Sequence, residues 1–139
     1  MTRINCVSPI CLYDQHLFAE YREITRAISN VKKYLKKHSI FEMYSEIPSN
    51  YSLGKGHVKF FYNKLKYIVN RHEELRRELL KRNYNISEYV IWDFEGIPDT
   101  LFNDFEPSLN DIKINLERIE SKFLDKPTFY KYYGEKMLS

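Results

Sequence analysis

The chain is predicted to be all-α, a compact single-domain bundle of three main helices spanning residues 1–139. Three observations point there. Apolar residues recur at helical spacing in three long windows, capping and stop residues bracket those windows, and no stretch alternates long enough to make a sheet. At 139 residues the chain is long enough to bury a core of its own.

The first helix is expected over about residues 14–38: Asp14 reads as its N-cap, and Leu17, Tyr21, Ile24, Ile28, Val31 and Leu35 follow at helical spacing. A loop marked by Pro48, Gly54 and Gly56 leads to the second helix. Its stripe is Phe61, Leu65, Ile68, His72, Leu75 and Leu79, with Asn83 as a stop. From Tyr84 to Pro107 the pattern is irregular, and Trp92, Phe94, Leu101, Phe102 and Phe105 are expected to fold this stretch over the bundle as a covering loop. The third helix starts at Ser108, where Asp111 closes a variant capping box, runs through Leu109, Ile112, Leu116, Ile119 and Phe123, and is ended by Pro127.

The net charge of +3 conceals a segregation. Residues 83–112 hold seven carboxylates and no Lys or Arg, so the rest of the chain carries +10. A body this basic suits a polyanion, although the run Lys32, Lys33, Lys36 and Lys37 also reads as a solvated helix end. There is no leader pattern and no apolar stretch long enough for a membrane, so the chain is expected to be soluble and unprocessed apart from Met1. Cys6 and Cys11 form no CxxC and have no matching zinc set; they read as reduced packing thiols, which points to an intracellular compartment. No metal or cofactor is expected.

The first residues, Met-Thr-Arg-Ile-Asn, carry the sharpest chemical possibility. Thr2 is small enough for the initiator methionine to be removed, which would leave it with a free α-amine. That amine titrates near pKa 7.7–8.0 against about 10.4 for a lysine, so roughly 10–15% of it is nucleophilic at pH 7 without burial. Glu23 is a candidate partner, with Ala19 and Ala27 one turn away on either side to leave room for an approaching segment. From periodicity alone it reads as an exposed helical glutamate in an i,i+3 pair with Arg26. Arg22 and Arg26 flank it, and His16 lies two turns earlier as either a site residue or a satisfied half-buried ring. Gly54-Lys-Gly-His57 reads either as a phosphate-approaching loop before a helix or as an ordinary turn. In the tail, Phe129, Tyr130 and Lys131 offer aromatic faces and a cation suited to unpaired bases and a phosphate backbone, or rings that tie down the C-terminus.

Four segments together, residues 1–5, 14–23, 53–64 and 127–134, resemble the pyrimidine-dimer DNA glycosylase/AP lyase family, in order and across the whole chain. The resemblance implies a compact three-helix protein with its N-terminal segment threaded between the helices, bringing the Thr2 amine beside Glu23. It implies attack of that amine on C1′ of the damaged nucleotide's sugar, loss of the base, an imine, and β-elimination assisted by Glu23. It further implies no metal, a kinked duplex, and action on double-stranded DNA bearing pyrimidine dimers or abasic sites, by a monomer with no obligate protein partner, in the cytoplasm or nucleoid. Gln15 and His16 match its site-lining pair, and Arg3, Arg22, Arg26, Arg118 and Lys122 its site-adjacent or DNA-contacting cations. Two departures stand out: the family's best-known member has tryptophan where this chain has Phe129, and residues 28–50 match poorly.

Two alternatives accompany this reading. One is an AP lyase/glycosylase for oxidised or ring-opened purines. The other is a non-catalytic basic helical module that binds DNA, which would need neither Thr2 nor Glu23.

Overall fold

The apolar stripes fold as helices α1 (Asp14–Glu23), α2 (Arg26–Leu35), α3 (Ile40–Glu46), α4 (Leu65–Lys81) and α5 (Leu109–Asp125), followed by a hairpin of β1 (Lys131–Tyr132) and β2 (Glu135–Lys136). This computed structural model describes residues 3–86 and 91–137. Among them the chain is mostly helical, and its only sheet is that two-stranded hairpin.

Helix α4 is the central element. Leu65, Ile68, His72, Leu75 and Leu79 are all buried, against α1 on one side and α2 on another, with Phe61 joining them from a 3₁₀ turn just before the helix. Asn83 ends the helical region with φ 66°, a left-handed residue at the usual stop position. The acidic stretch does cover the bundle. Leu101 is fully buried, Trp92 meets His72 edge-on at 5.3 Å, and Phe105 packs among Phe60, Phe61 and Tyr67.

The expected first helix is two helices. Backbone dihedrals stay helical through Ile24 and Thr25, but Ala27 and Ile28 donate to carbonyls three residues back instead of four. The ladder tightens at the β-branched Thr25 and restarts at Arg26, which leaves Glu23 at a helix end. A third short helix, α3, was hidden by its length although Ser39 and Glu42 form a full capping box at its start.

Asp14 is not the N-cap. Tyr13 holds that position, and the Asp14 carboxylate is buried, accepting bonds from Arg82, the Tyr84 hydroxyl and the backbone N–H groups of Tyr133 and Gly134. Burial pushes its pKa up, but these four donors together outweigh that and hold it below the usual carboxylate range. The last two donors sit in the hairpin turn, where Tyr133 and Gly134 have φ 53° and 81°, the pattern of a two-residue type I′ loop.

Helix α5 starts as expected, with Ser108 and Asp111 in a reciprocal capping box. Its inward face differs from the expected stripe. Leu109 and Leu116 are exposed, while Asn115, with Ile119, occupies the core. The reason lies in the N-terminal strand, which threads between the helices as the family resemblance implied. Its backbone groups are satisfied by side chains. The Asn115 Oδ1 accepts from the N–H of Cys6 at 2.8 Å and of Val7 at 3.3 Å, Tyr67 donates to the Asn5 carbonyl, and Arg71 donates to the Val7 carbonyl. Of the two free cysteines, Cys6 is a packing thiol, with burial pushing its pKa up to about 11; Cys11 is exposed.

Candidate active site

The N-terminal strand meets the junction of α1 and α2, and there a cleft of about 80 Å³ opens, lined by Arg3, Ile4, Glu20, Glu23, Ile24, Arg26, Ala27, Asn30 and Val58. Thr2 lies outside the described residues. Glu23 is the last residue of α1, and its Oε1 is 2.8 Å from the Arg26 guanidinium on the first turn of α2. A carboxylate at a helix C-terminus opposes the macrodipole, so the ion pair with Arg26 offsets an intrinsically unfavourable position. Ala27 lines the cleft beside Glu23 and keeps it open; Ala19 does not line it. Pockets that engulf a small ligand measure roughly 300–1,000 Å³. This cleft therefore suits a reacting group presented from outside, with the bulk of the substrate resting on the surface.

Beneath Glu23 lies a residue that sequence reasoning missed. Glu20 is fully buried and takes a paired contact from Arg71, at 2.8 and 3.1 Å, plus a bond from the Asn5 amide at 2.7 Å. The Asn115 amide completes the set by donating to the Asn5 Oδ1 at 2.8 Å. Burial opposes the Arg71 charge, but Glu20 holds it firmly protonated. Four polar side chains thus occupy positions that their residue types alone would assign to the surface. One signal was available: Asn115 lies three residues after Ile112 and four before Ile119, on the same helix face.

On the other flank, cations gather. Arg118 is half-buried on α5, and burial together with the nearby Arg3 lowers its pKa. Among the described residues no carboxylate forms an ion pair with it. Lys122 follows one turn later, exposed. Near them, in the first turn of α1, is His16, whose pKa is pushed down to about 4, chiefly by burial and further by Arg118 and Lys122. Its ring packs 4.8 Å from that of Tyr130, and its buried Nδ1 has no hydrogen-bond partner among the described residues. Unpaired cations around a neutral imidazole make a place for an anionic oxygen.

The other residues singled out in the sequence divide by position. Arg22 points away from the cleft, into a separate groove with Phe18, Tyr21, Asn85 and Ile86. Gln15 grips the C-terminal segment, donating to the Phe129 carbonyl at 2.8 Å and accepting from the Lys131 N–H at 3.0 Å. Tyr130 is buried among Tyr13, His16 and Phe123, whereas Phe129 is 53% exposed and Lys131 is also exposed. Gly54 and Gly56 do not open the second helix; they precede the three-residue turn Lys59–Phe61. Gly56 is needed for its φ of +84°, and a Cβ there would stand 3.0 Å from Pro48. His57 is buried with both ring nitrogens engaged inside the protein, Nδ1 to the Ser52 carbonyl and Nε2 to the Ile4 N–H, each at 2.7 Å. Burial is the main cause that lowers its pKa to about 4; the Ser52 bond opposes it, and Arg3 and Arg118 add to it.

Among the described residues no cluster of His, Cys, Asp or Glu could hold a metal ion, and no helix is long and apolar enough to cross a membrane. A helical fold, a cleft that holds Glu23 and the cations Arg3 and Arg26 at that cleft are the features of the site. Residues 1–91 match the family model described as pyrimidine dimer DNA glycosylase, which covers more than half of the chain. The chain belongs to that family: it is a DNA-repair glycosylase, and its substrate is DNA containing pyrimidine dimers.

Proposed function

We propose that the protein is a bifunctional glycosylase and abasic-site lyase acting as a monomer through the Thr2 α-amine, freed by removal of Met1. The amine nitrogen bonds to C1′ and sheds a proton as the glycosidic bond breaks and the departing base is protonated. Cleavage of the C1′–O4′ bond then opens the sugar to an imine. Glu23 stabilises the positive charge that develops at C1′ and accepts the C2′ proton. The electron pair left at C2′ expels the 3′ phosphate, and water hydrolyses the imine to free the enzyme. Arg3, Arg26, Arg118 and Lys122 hold the phosphates on either side. Abasic sites enter the same sequence after the base is lost.

The observation that carries this reading is that Arg3 and Glu23 line one cleft. Thr2 is the residue next to Arg3 in the sequence. Borohydride trapping on a duplex with one thymine dimer, beside an abasic duplex, tests it, with intact-mass measurement of the active protein. A covalent adduct mapped to Thr2 in protein lacking Met1 is expected, whereas active protein that retains the methionine would exclude this amine. Glu23→Gln is expected to lose strand cleavage by about 10²–10⁴-fold while keeping dimer binding. Because the change also removes a charge from a helix C-terminus, stability should be unchanged or slightly higher. Cleavage and binding lost in step would mark Glu23 as a contact residue instead.

A further inference from the structure

The Gly54-Lys-Gly-His57 loop takes no part in the chemistry above, yet it is built around the strand that leads to the reacting end. A carbonyl only accepts, so the Ser52 oxygen at 2.7 Å fixes the His57 proton on Nδ1 and leaves Nε2 as a lone pair. That lone pair accepts the Ile4 N–H at 2.7 Å. Tyr51 donates its hydroxyl to the Ile4 carbonyl at 2.9 Å, and Arg3 Nε donates to the Leu53 carbonyl at 2.7 Å. One loop therefore holds the N–H and the C=O of Ile4 together with the side chain of Arg3. Deeper in the fold, Asn115, Tyr67 and Arg71 hold residues 5–7 independently.

We propose that His57, assisted by Tyr51, is a positioning residue for the glycosylase reaction, a clamp that fixes the register of residues 3 and 4 and so the place of the N-terminal nucleophile. The inference rests on the assignment of the Thr2 amine made above. It follows from geometry: among the described residues the strand has no sheet partner, so beyond the packing of Ile4 in the core the hydrogen bonds at Arg3 and Ile4 set its register. A nucleophile two residues beyond Ile4 inherits any slack in them. An ångström of misplacement costs a positioned reaction about 100-fold in rate. The phosphate-binding role that the glycine pair suggested is replaced by this inward-facing one.

The test is single-turnover cleavage of a duplex carrying one thymine dimer, with its Kd measured alongside, for wild type, His57→Leu, His57→Gln and Tyr51→Phe. His57→Leu is expected to slow the chemical step about 100-fold while the Kd shifts no more than about threefold. The glutamine oxygen can accept from the Ile4 N–H, so His57→Gln should recover to within about tenfold of wild type, with Tyr51→Phe comparable. A folded His57→Leu at the wild-type rate, or one that loses rate and affinity together, overturns the proposal. Should His57→Leu fail to fold, Tyr51→Phe, which lacks a single hydroxyl, decides alone: an unchanged rate overturns the clamp. Wild-type protein acetylated at its α-amine separates the two readings. If acetylated protein still gives the trapped adduct, the amine assignment fails; if acetylation abolishes the adduct and His57→Leu keeps its rate, only the clamp fails.

Discussion

Phe129 and Tyr130 are adjacent aromatic residues with opposite fates, and the difference decides what each can do. Tyr130 is 8% exposed and belongs to the core, while Phe129 is 53% exposed and meets it edge-on at 5.0 Å. Phe129→Ala is therefore expected to leave the melting temperature nearly unchanged and to weaken binding of dimer-containing duplex about 5- to 150-fold, the worth of one stacked base. Undamaged duplex should lose less; a large melting drop with an unchanged ratio of the two affinities would refute this. His57 supplies a second prediction at the same scale. The fold holds it neutral with a pKa of about 4, while the unfolded chain protonates it near 6.5. The unfolded state thus binds the extra proton, so this contribution is fully present above about pH 6.5 and lost as pH falls to about 4. For His57 it amounts to about 3 kcal/mol. His16 shifts in the same direction, and Asp14 extends the loss to lower pH. Urea midpoints measured from pH 7 to 4 should fall across that window for wild type and fall less for His57→Gln.

The elements show where sequence reasoning reached and where it stopped. Helix α4 was legible because an unbroken stripe and a left-handed stop residue say the same thing. The start of α5 was legible because a Ser with an acidic residue three positions on is a local signal with a local cause. The break at Thr25 was not, since the stripe and the dihedrals run through it and only the hydrogen-bond pattern changes. Nor was the latch that docks the C-terminal hairpin, where Asp14 meets Arg82, Tyr84, Tyr133 and Gly134 across as many as 120 positions of sequence. Glu23 and Arg26 were recognisable as a pair from their spacing, but Glu20, Asn5, Arg71 and Asn115 meet only in three dimensions. The latch is directly testable. Arg82 has no exposed side-chain surface, so Asp14→Ala would strand part of its charge and leave two hairpin N–H groups unmatched. Breaking one side of a buried pair costs about 3–5 kcal/mol. Urea unfolding should show that loss, and proteolysis should cut after Tyr132 or Tyr133 sooner than in wild type.

At the scale of the molecule, the charge separation becomes a geometry. The acidic cover lies over the bundle, while Arg3 and Arg26 line the cleft, Arg118 and Lys122 lie near His16, and Lys131 is exposed in the tail. Each neutralised phosphate contributes about −0.9 to the log–log salt slope, so four or five such contacts give about −4 and a loss of several hundredfold in affinity from 50 to 200 mM salt. A slope near zero on undamaged duplex would show that these side chains do not meet phosphates. The threaded strand carries a different consequence, one of timing. Its anchors lie far along the chain: Asn115 holds Cys6 across 109 positions and Asn5 across 110. During synthesis the first residues leave the ribosome long before the last anchor exists. Such distant contacts form late in folding, after the loops between them have closed. The strand from Arg3 to Val7 therefore stays outside the fold for most of translation, which leaves time for the processing that the proposed Thr2 amine requires, and takes its place only when the chain is nearly whole.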